Sequence, residues 1–518
     1  MTKESKNSLF IFIFVFVFSF TFNIINIETG YNSSNFTELK FGYTIPSPDD
    51  KFYLPQIANY VNGYGFTSDP TDLLQSVRRT PGYPIFFGVH YLIFGEENAH
   101  YVIRIVQCLI FALSAIALGS IARTFVNNQF FGNIVACLYG TSLFVSSFLF
   151  LTITESISPA LVIFSFYFFY KGIEKKNDLT ISKYMLLAVF IAALATLVRP
   201  TNGILLLSYM IYILYVSIIR DKLINGIIIC TILSAVFSIL FIPWTIRNYS
   251  VMKMFIPLET FTIHQPFDGQ GFKEVGLKQW QRAWGPPQDI LKIHTDMLVD
   301  LSENAGYKSI ENFIEKEVPN RAYAGYSKLD LRNVLMEYQN CLDVDIKRNG
   351  GVRLRWGEIP DACEYEVGNK LSIFADKIRE QEPFLFYIEA PLLHRALKYV
   401  LHSGMHTLKS FQGESIGPMR KIIKSYAYLI NILLWILSLA FIFSTVILER
   451  KILLATFMVC SFSFLVAMYH VEGRYMISSY PFLYLMASVY VYNCHQKGVF
   501  KWIFRFSVAV WQRLRLNR

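Results

Sequence analysis

Charged side chains are scarce in this sequence of 518 residues, where Asp, Glu, Lys and Arg make up 17% of the chain. Soluble domains carry roughly 25%, and apolar residues here reach 53%, which argues against a soluble globular protein. The seven cysteines form no CxxC pair and no cysteine–histidine cluster with the spacing of a zinc site. No small-residue cleavage site follows the first apolar run, so we expect that run to stay as a membrane anchor.

Long apolar runs dominate the chain instead. Each is near the roughly 17–25 residues that a helix needs to cross a ~30 Å hydrocarbon core. They predict an all-α polytopic membrane protein with about ten transmembrane helices. The runs lie at residues 9–25, 101–121, 130–150, 157–170, 184–198, 204–219, 223–244, 426–448, 452–469 and 476–492.

Basic residues between these runs predict the orientation of the chain. If the helices alternate across the membrane, the lysines and arginines gather on one side, and the positive-inside rule makes that side cytoplasmic. Both termini are then cytoplasmic. The net charge of +10 reflects this bias and does not indicate nucleic-acid binding.

Four regions follow from this topology. Residues 1–254 form an N-terminal transmembrane module whose first outer loop, 27–84, carries the candidate catalytic residues. Residues 255–424 form a mostly helical extracytoplasmic domain, with helices predicted at 308–317 and 366–380 and an amphipathic helix near the membrane at 392–407. Residues 425–494 hold the C-terminal membrane helices, and residues 495–518 form a basic amphipathic tail on the cytoplasmic surface. Cys341 and Cys363 fall in the outer domain, where an oxidising compartment would let them pair; free thiols are the alternative.

Paired aspartates stand at the start of a short helix in the first outer loop. Ser47 is the predicted N-cap, Pro48 the first helical residue and Asp50 the partner in a capping box. Asp49 and Tyr53 are four residues apart and share a helical face. Two interpretations stay open. The aspartates complement the positive end of the helix, or one of them is a general base or metal ligand.

Two further motifs on the predicted outer side contain charged residues at positions where we expect few from the topology. Arg78 and Arg79 precede a Pro-Gly-Tyr-Pro turn that contains Tyr83; they are either anchors for lipid headgroups or part of a binding site. Glu155 lies in a Thr-Glu-Ser sequence between two apolar runs. A carboxylate at membrane depth marks a functional site, unless the turn lies just outside the bilayer.

Three membrane helices end in an arginine on the outer side: Arg199, Arg247 and Arg474, the last with Glu472 beside it. The planar guanidinium binds phosphate through two parallel hydrogen bonds, so together the three predict an anionic ligand at the outer surface. Any one of them alone is explained by contact with lipid headgroups.

Six motifs carry a resemblance, in this order: Asp-Asp-x-x-Tyr-Leu-x-x-Ile-Ala, Arg-x-Pro-Gly-Tyr-Pro, Thr-Glu-Ser, Leu-x-Arg-Pro-Thr, Pro-Trp-x-x-Arg-Asn-Tyr and Glu-x-Arg-Tyr. The chain resembles the GT-C class of integral-membrane glycosyltransferases. It is most similar to the bacterial and archaeal relatives of dolichyl-phosphate-mannose protein mannosyltransferases and of lipid A aminoarabinose transferase. The likeness runs from the first helix to residue 248 and again over 469–481, and it does not extend to 255–424.

The resemblance implies a reaction and a place for it. A hexose or pentose would move from a polyprenyl phosphate to a hydroxyl of a lipid, glycan or protein, with inversion, at the outer face of the plasma or inner membrane. Asp49 or Asp50 would be the general base, and Glu155 would orient the acceptor or a cation. The substrate-binding residues would be Tyr53, Arg78, Arg79, Tyr83, Arg199, Arg247, Glu472 and Arg474.

The sequence requires no cofactor. A divalent cation held by Asp49, Asp50 and Glu155 is nevertheless compatible with the resemblance. The alternative, from another functional class, is a transporter or flippase for a lipid-linked sugar or other anionic lipid. It would bind its substrate through the same arginines and catalyse no reaction. Transporters often show inverted repeats and helices broken at mid-membrane. This sequence shows no such repeat and has its polar motifs at helix ends, which favours the enzyme.

Overall fold

The computed structural model describes residues 3–30, 44–45, 47, 49–71, 76–174, 180–259, 275–285, 306–348, 362–402, 404, 418–444, 449–467 and 473–498. Within these ranges the regular secondary structure is helical, apart from one isolated bridge between Ile45 and Leu151. The predicted all-α class is therefore confirmed for the described part of the chain.

The N-terminal helices are α1 (Lys3–Gly30), α2 (Asp50–Tyr53), α3 (Pro55–Val61), α4 (Gly82–Val126), α5 (Gln129–Gly140), α6 (Leu143–Ser146), α7 (Ser158–Glu174), α8 (Lys183–Val198), α9 (Ile204–Ile219), α10 (Leu223–Ile239) and α11 (Ile242–Met252). The later ones are α12 (Val275–Trp284), α13 (Gly306–Glu317), α14 (Lys328–Arg348), α15 (Ala362–Gln381), α16 (Leu397–Val400), α17 (Pro418–Phe443), α18 (Glu449–Ala467) and α19 (Tyr480–Gln496). A π-helix spans Leu385–Ala396. Short 3₁₀ helices span Thr154–Ser156, Pro200–Gly203, Asn320–Ala322 and Gly473–Ser478.

Several of these helices are apolar enough to cross a membrane. Four pass by length and composition: Ser5–Ile27, Gly82–Val126, Pro200–Ile219 and Arg420–Phe443. Helices α10 and α11 meet at a 51° bend and make a fifth if they are one span. Shorter apolar helices lie at Ser158–Ile173, Lys183–Val198 and Lys451–Val466. The chain is a polytopic membrane protein, whereas a total of about ten spans stays a prediction.

Two predicted spans differ from the helices that form. The run 101–121 belongs to the longer helix α4, which is bent at Gly95, a residue with φ 78° and ψ 166°. The run 130–150 is not one helix, because α5 ends at Gly140 and Ser142 caps the separate helix α6 by accepting from the Val145 N–H at 3.4 Å. Serine hydroxyls compete with helical hydrogen bonds in this way, and hydropathy does not detect it.

The chain divides into two compact units. The first comprises Met1–Glu259, Leu401–Ser461 and Met476–Arg518, and the second comprises Thr260–Val400 and Phe462–Tyr475. In the first unit, α4 and α5 cross at two glycines. A Cβ added at Gly119 would meet the Gly132 carbonyl oxygen at 2.5 Å. Such close backbone approach through small residues is a common way for membrane helices to pack.

The second unit has its own hydrophobic core, built around Trp280, Trp284 and Tyr338. Helices α13 and α15 contain the predicted helices at 308–317 and 366–380. The structure joins Cys341 to Cys363 in a disulfide that closes a separation of 22 residues, which restricts the unfolded chain and stabilises this unit by roughly 3 kcal/mol. The predicted helix 392–407 begins earlier, as the π-helix. Residues 499–518 of the predicted amphipathic tail lie outside the described residues.

Candidate active site

The paired aspartates open helix α2, as the sequence predicts, with one difference in the cap. The Ser47 backbone N–H donates to Asp50 Oδ2 at 2.7 Å, which is one half of a capping box. The Ser47 hydroxyl accepts from the backbone N–H of Asp49 at 3.2 Å. Regular α2 geometry begins at Asp50, so Asp49 occupies the N-cap position of this helix, while Ser47 provides the predicted capping-box contact with Asp50.

Asp50 joins the first outer loop to the Thr-Glu-Ser motif. The Thr152 hydroxyl donates to Asp50 Oδ1 at 2.6 Å. Nearby, the Ile45 N–H donates to the Phe150 carbonyl at 2.7 Å, so the two segments are joined twice. Burial raises the pKa of Asp50 to about 6, although the hydrogen bonds from Thr152 and Ser47 oppose this shift; the charge of Asp49 adds to it.

The two arginines of the next motif contact helix α2. Arg79 Nη2 lies 3.8 Å from Asp49 Oδ1, and the Asp49 side chain is 21% exposed. The Arg79 guanidinium also lies over the rings of Phe52 and Tyr53, at 5.4 and 5.7 Å from their centroids. Arg78 lies over Phe52 at 4.3 Å. The predicted site residues Asp49, Tyr53, Arg78 and Arg79 are thus neighbours.

Tyr83 continues this cluster into helix α4. Its ring packs edge-to-face on Tyr53 at 5.7 Å, and its hydroxyl donates to Gln107 Oε1 at 3.0 Å. The Ser156 hydroxyl donates to the same oxygen at 2.6 Å. Two motifs that are far apart in sequence therefore share one buried amide.

Gln107 is a site residue that the motifs did not reveal. Its side-chain nitrogen donates to the carbonyl oxygens of Leu149 and Leu151 at 2.7 and 3.2 Å, and the residue is fully buried. All four of its hydrogen-bonding positions are used. A glutamine inside the apolar run 101–121 is a signal that the sequence does carry, because such an amide must find partners in the protein.

Glu155 and Arg199 form a buried ion pair. Arg199 Nη1 lies 3.1 Å from Glu155 Oε1, and their side chains are only 9% and 5% exposed. The Thr154 hydroxyl donates to the other carboxylate oxygen at 2.9 Å. Arg199, which follows α8, therefore has a carboxylate partner within the protein.

Gly82 explains how the arginine motifs come together. A Cβ added there would lie 2.5 Å from the carbonyl carbon and oxygen of Leu197 and from the amide nitrogen of Val198. Helix α4 thus begins in direct contact with the backbone that leads into Arg199. Only glycine permits this approach, so the Pro-Gly-Tyr-Pro turn fixes the distance between the two motifs.

Gly82→Ala should destabilise the protein by about 1–3 kcal/mol or more, because backbone atoms on α8 cannot move aside for a methyl group. Gly203→Ala is the matched control, since a Cβ there meets nothing closer than Thr196 Cγ2 at 3.6 Å. Unfolding in detergent measures both. Equal free energies of unfolding for the two variants would show that α4 and α8 can move apart without a loss of stability.

Arg247 holds the first outer loop. Its Nη1 donates to the Ser76 carbonyl at 2.6 Å and its Nη2 to the Phe66 carbonyl at 2.5 Å, while the guanidinium lies over the Trp244 ring at 4.9 Å. Glu259, which the motifs also missed, holds the end of the same loop. Its Oε2 accepts from the Thr80 N–H at 3.2 Å, and the residue is 3% exposed.

Arg247→Lys should loosen this loop, because one ammonium group cannot reach both carbonyls as two guanidinium nitrogens do. The loss of one such charged hydrogen bond is about 1.5–3 kcal/mol of local stability. Limited proteolysis between α3 and α4 measures it, with Arg220→Lys as control. Unchanged proteolysis with weaker donor use would instead favour the predicted contact with phosphate.

Two predicted site residues remain, Arg474 and Glu472. Arg474 is in the 3₁₀ helix Gly473–Ser478 and belongs to the second unit, where its guanidinium lies 5.9 Å from the centroid of the Tyr475 ring. Glu472 lies outside the described residues.

The contacts of Asp50 and Glu155 bear on the predicted cation site. Thr152 and Ser47 donate to the two oxygens of Asp50, while Glu155 accepts from Thr154 and pairs with Arg199. Protein groups therefore already donate to the carboxylate oxygens of Asp50 and Glu155 that a cation would bind. In the part of the chain that is described, no three His, Cys, Asp or Glu side chains group closely enough to bind a metal. A divalent cation held by Asp49, Asp50 and Glu155 stays a prediction.

Residues 78–246, about a third of the chain, match the family model of dolichyl-phosphate-mannose-protein mannosyltransferase. This match confirms the resemblance. The matched segment, termed here the mannosyltransferase-like region, begins at Arg78 and contains Tyr83, Glu155 and Arg199. No curated protein matches the chain.

Two solved structures are similar to the chain. ArnT from Cupriavidus metallidurans bound to undecaprenyl phosphate is 13% identical, with a TM-score of 0.32 over 91% of this chain and 77% of that one. The same protein in the apo state is 11% identical, with a TM-score of 0.30 over 91% and 76% of the two chains.

Proposed function

We propose that this protein is a glycosyltransferase that moves a sugar from a polyprenyl phosphate to an acceptor hydroxyl. The Asp50–Thr152 hydrogen bond of 2.6 Å carries the proposal. It attaches the paired aspartates of the first outer loop to the mannosyltransferase-like region. A carboxylate pair, two arginines and two tyrosines then share one site, which suits transfer of a sugar from an anionic leaving group.

Asp49 is the proposed general base. Its side chain is partly exposed at the start of α2, with Arg79 as a neighbour at 3.8 Å. It takes the proton of the acceptor hydroxyl while the hydroxyl oxygen bonds to the anomeric carbon. The bond from that carbon to the phosphate oxygen breaks, and the electron pair leaves with the phosphate. Attack from the opposite side inverts the configuration.

Asp50 is the proposed positioning residue beside this base. Both of its oxygens accept from the protein, one from Thr152 and one from Ser47. These donors fix α2 against the mannosyltransferase-like region, and so fix the direction of the Asp49 side chain.

Arg78 and Arg79 are the proposed partners of the departing phosphate. Both guanidinium groups lie against α2, close to the base. Growing charge on the phosphate is best stabilised by donors already in place. Arg199 pairs with Glu155, and Arg247 donates to loop carbonyls. On this proposal, the two residues stabilise the structure around the site and do not bind the phosphate.

The site belongs, on this proposal, to the extracytoplasmic face of the plasma or inner membrane, with both termini cytoplasmic. The basic loops support this orientation. The Cys341–Cys363 disulfide supports an oxidising compartment for the second unit. The donor carries a hexose or pentose, and the acceptor is a lipid, glycan or protein.

Purified protein, defined polyprenyl-phosphate sugars with a radiolabel in the sugar, and a cell-envelope extract test the function. We expect label to appear in a product of the extract while free polyprenyl phosphate accumulates in equal amount. A transporter would move the intact donor across proteoliposomes and release no polyprenyl phosphate, and that result would replace the enzyme with the alternative function.

The raised pKa of Asp50 predicts the acid side of the pH profile. As the pH falls through about 6, the Asp50 carboxylate takes up a proton and loses an acceptor position for Ser47 or Thr152. Transfer should therefore decline below pH 6. In Asp50→Asn this decline should disappear and the plateau should be lower. An identical decline in that variant would assign it to another group.

A further inference from the structure

Arg395 is a buried cation in the second unit, on the π-helix Leu385–Ala396. The residue is 4% exposed. Neither Nε nor Nη1 of its guanidinium has a hydrogen-bond partner. Among the residues that the structure describes, no carboxylate pairs with it. Burying an arginine is unfavourable unless the charge is paired and hydrogen-bonded, so this buried charge carries a cost that the described residues do not fully offset.

A second arginine makes this cost larger. Arg282 lies on α12, and α12 packs against the π-helix. Burial, together with the positive charge of Arg282, lowers the pKa of Arg395 to about 10, although Tyr399 opposes this shift. Like charges near each other in a protein interior repel, which indicates that a negative group belongs beside them.

The acidic residues nearby along the chain are engaged elsewhere. Glu389 and Glu382 both bind Arg321 on the surface of this unit, at 2.5 and 2.7 Å. Trp284, two residues beyond Arg282, is 2% exposed and leaves its indole N–H without an acceptor. The two packed helices therefore bury donors in excess of acceptors. π-Helical geometry is rare and is frequently found at functional sites.

We propose that the second unit binds an oxyanion of the phosphate class at Arg395, with Arg282 adding positive charge. The Nε–H and Nη1–H groups of Arg395 can donate to the oxygens of an oxyanion, whose negative charge would offset that of the buried guanidinium. The phosphate belongs either to the headgroup of a membrane lipid or to a soluble phosphate compound. This site is separate from the proposed transfer reaction, since no residue of it takes part there.

Arg395→Met tests the site through stability, in the full-length protein purified in detergent without phosphate. Methionine fills similar space without charge, so the melting temperature should rise in the absence of anion. An added phosphate source, either inorganic phosphate or phosphatidylglycerol, should stabilise the unchanged protein but not Arg395→Met. The apparent phosphate affinity should fall about 10- to 100-fold, as expected for loss of a charged hydrogen bond. Arg379→Gln, an exposed arginine of the same unit, should respond as the unchanged protein does.

Mixed micelles distinguish the source of the phosphate. Stabilisation by phosphatidylglycerol, but not by inorganic phosphate or by a neutral glycolipid with the same acyl chains, assigns the site to a lipid headgroup. Stabilisation by inorganic phosphate assigns it to a soluble compound. The proposal is wrong if neither phosphate source stabilises the unchanged protein, or if Arg395→Met keeps the full response.

Discussion

Asp49→Asn should lower sugar transfer by about 10²–10⁴-fold, the range for loss of a general base. The fold should survive, because asparagine is as good an N-cap as aspartate. Donor binding should survive as well, since the proposed phosphate partners are Arg78 and Arg79. Single-turnover transfer from a labelled polyprenyl-phosphate sugar measures the loss, and donor binding measured without acceptor shows that the site is intact.

Asp50→Asn is the matched control for this prediction. Asparagine keeps one oxygen for Ser47 or Thr152 but offers an NH₂ group to the other donor, so α2 should shift and activity should fall less than in Asp49→Asn. A dead Asp50→Asn with an active Asp49→Asn would place the base at Asp50. Near-normal transfer in both variants would contradict catalysis by a carboxylate and would favour the transporter function.

Much of this arrangement is readable from sequence because its signals are local. The apolar runs predict an all-α membrane protein because their lengths match the thickness of the bilayer. The aspartate pair at the start of α2 follows from the Ser-Pro-Asp-Asp order. The order of six motifs gives a family resemblance that the match over 78–246 confirms. None of these three predictions requires knowledge of which segments are in contact in the folded protein.

The roles of particular polar residues are harder to predict, because they depend on contacts over long sequence separations. The sequence predicts Arg247 at the end of a membrane helix, as expected of a phosphate-binding arginine. It lies instead within α11 and donates to carbonyls 171 and 181 residues away. Glu259 matches no motif, and its partner Thr80 is 179 residues distant. Hydropathy likewise treats 130–150 as one span, since it cannot register the capping of α6 by Ser142.

Breaking the Glu155–Arg199 pair should be strongly destabilising. Arg199→Met leaves a buried carboxylate, and Glu155→Gln leaves a buried guanidinium; each should cost about 3–5 kcal/mol in the free energy of unfolding. The double variant should cost much less than the sum, because neither charge is then left alone. Chemical unfolding of all four proteins in detergent gives the coupling energy.

The exposed pair Arg332–Glu311 is the control for this cycle. Its atoms are 2.7 Å apart, but its side chains are 40% and 49% exposed, so its coupling should be no more than about 1 kcal/mol. Additive losses at Glu155 and Arg199 would mean that the pair is screened or open in the folded protein. Arg199 would then be available for phosphate, as the sequence predicts. Strong coupling together with unchanged donor affinity in Arg199→Lys would instead make the pair a structural support beneath the paired aspartates.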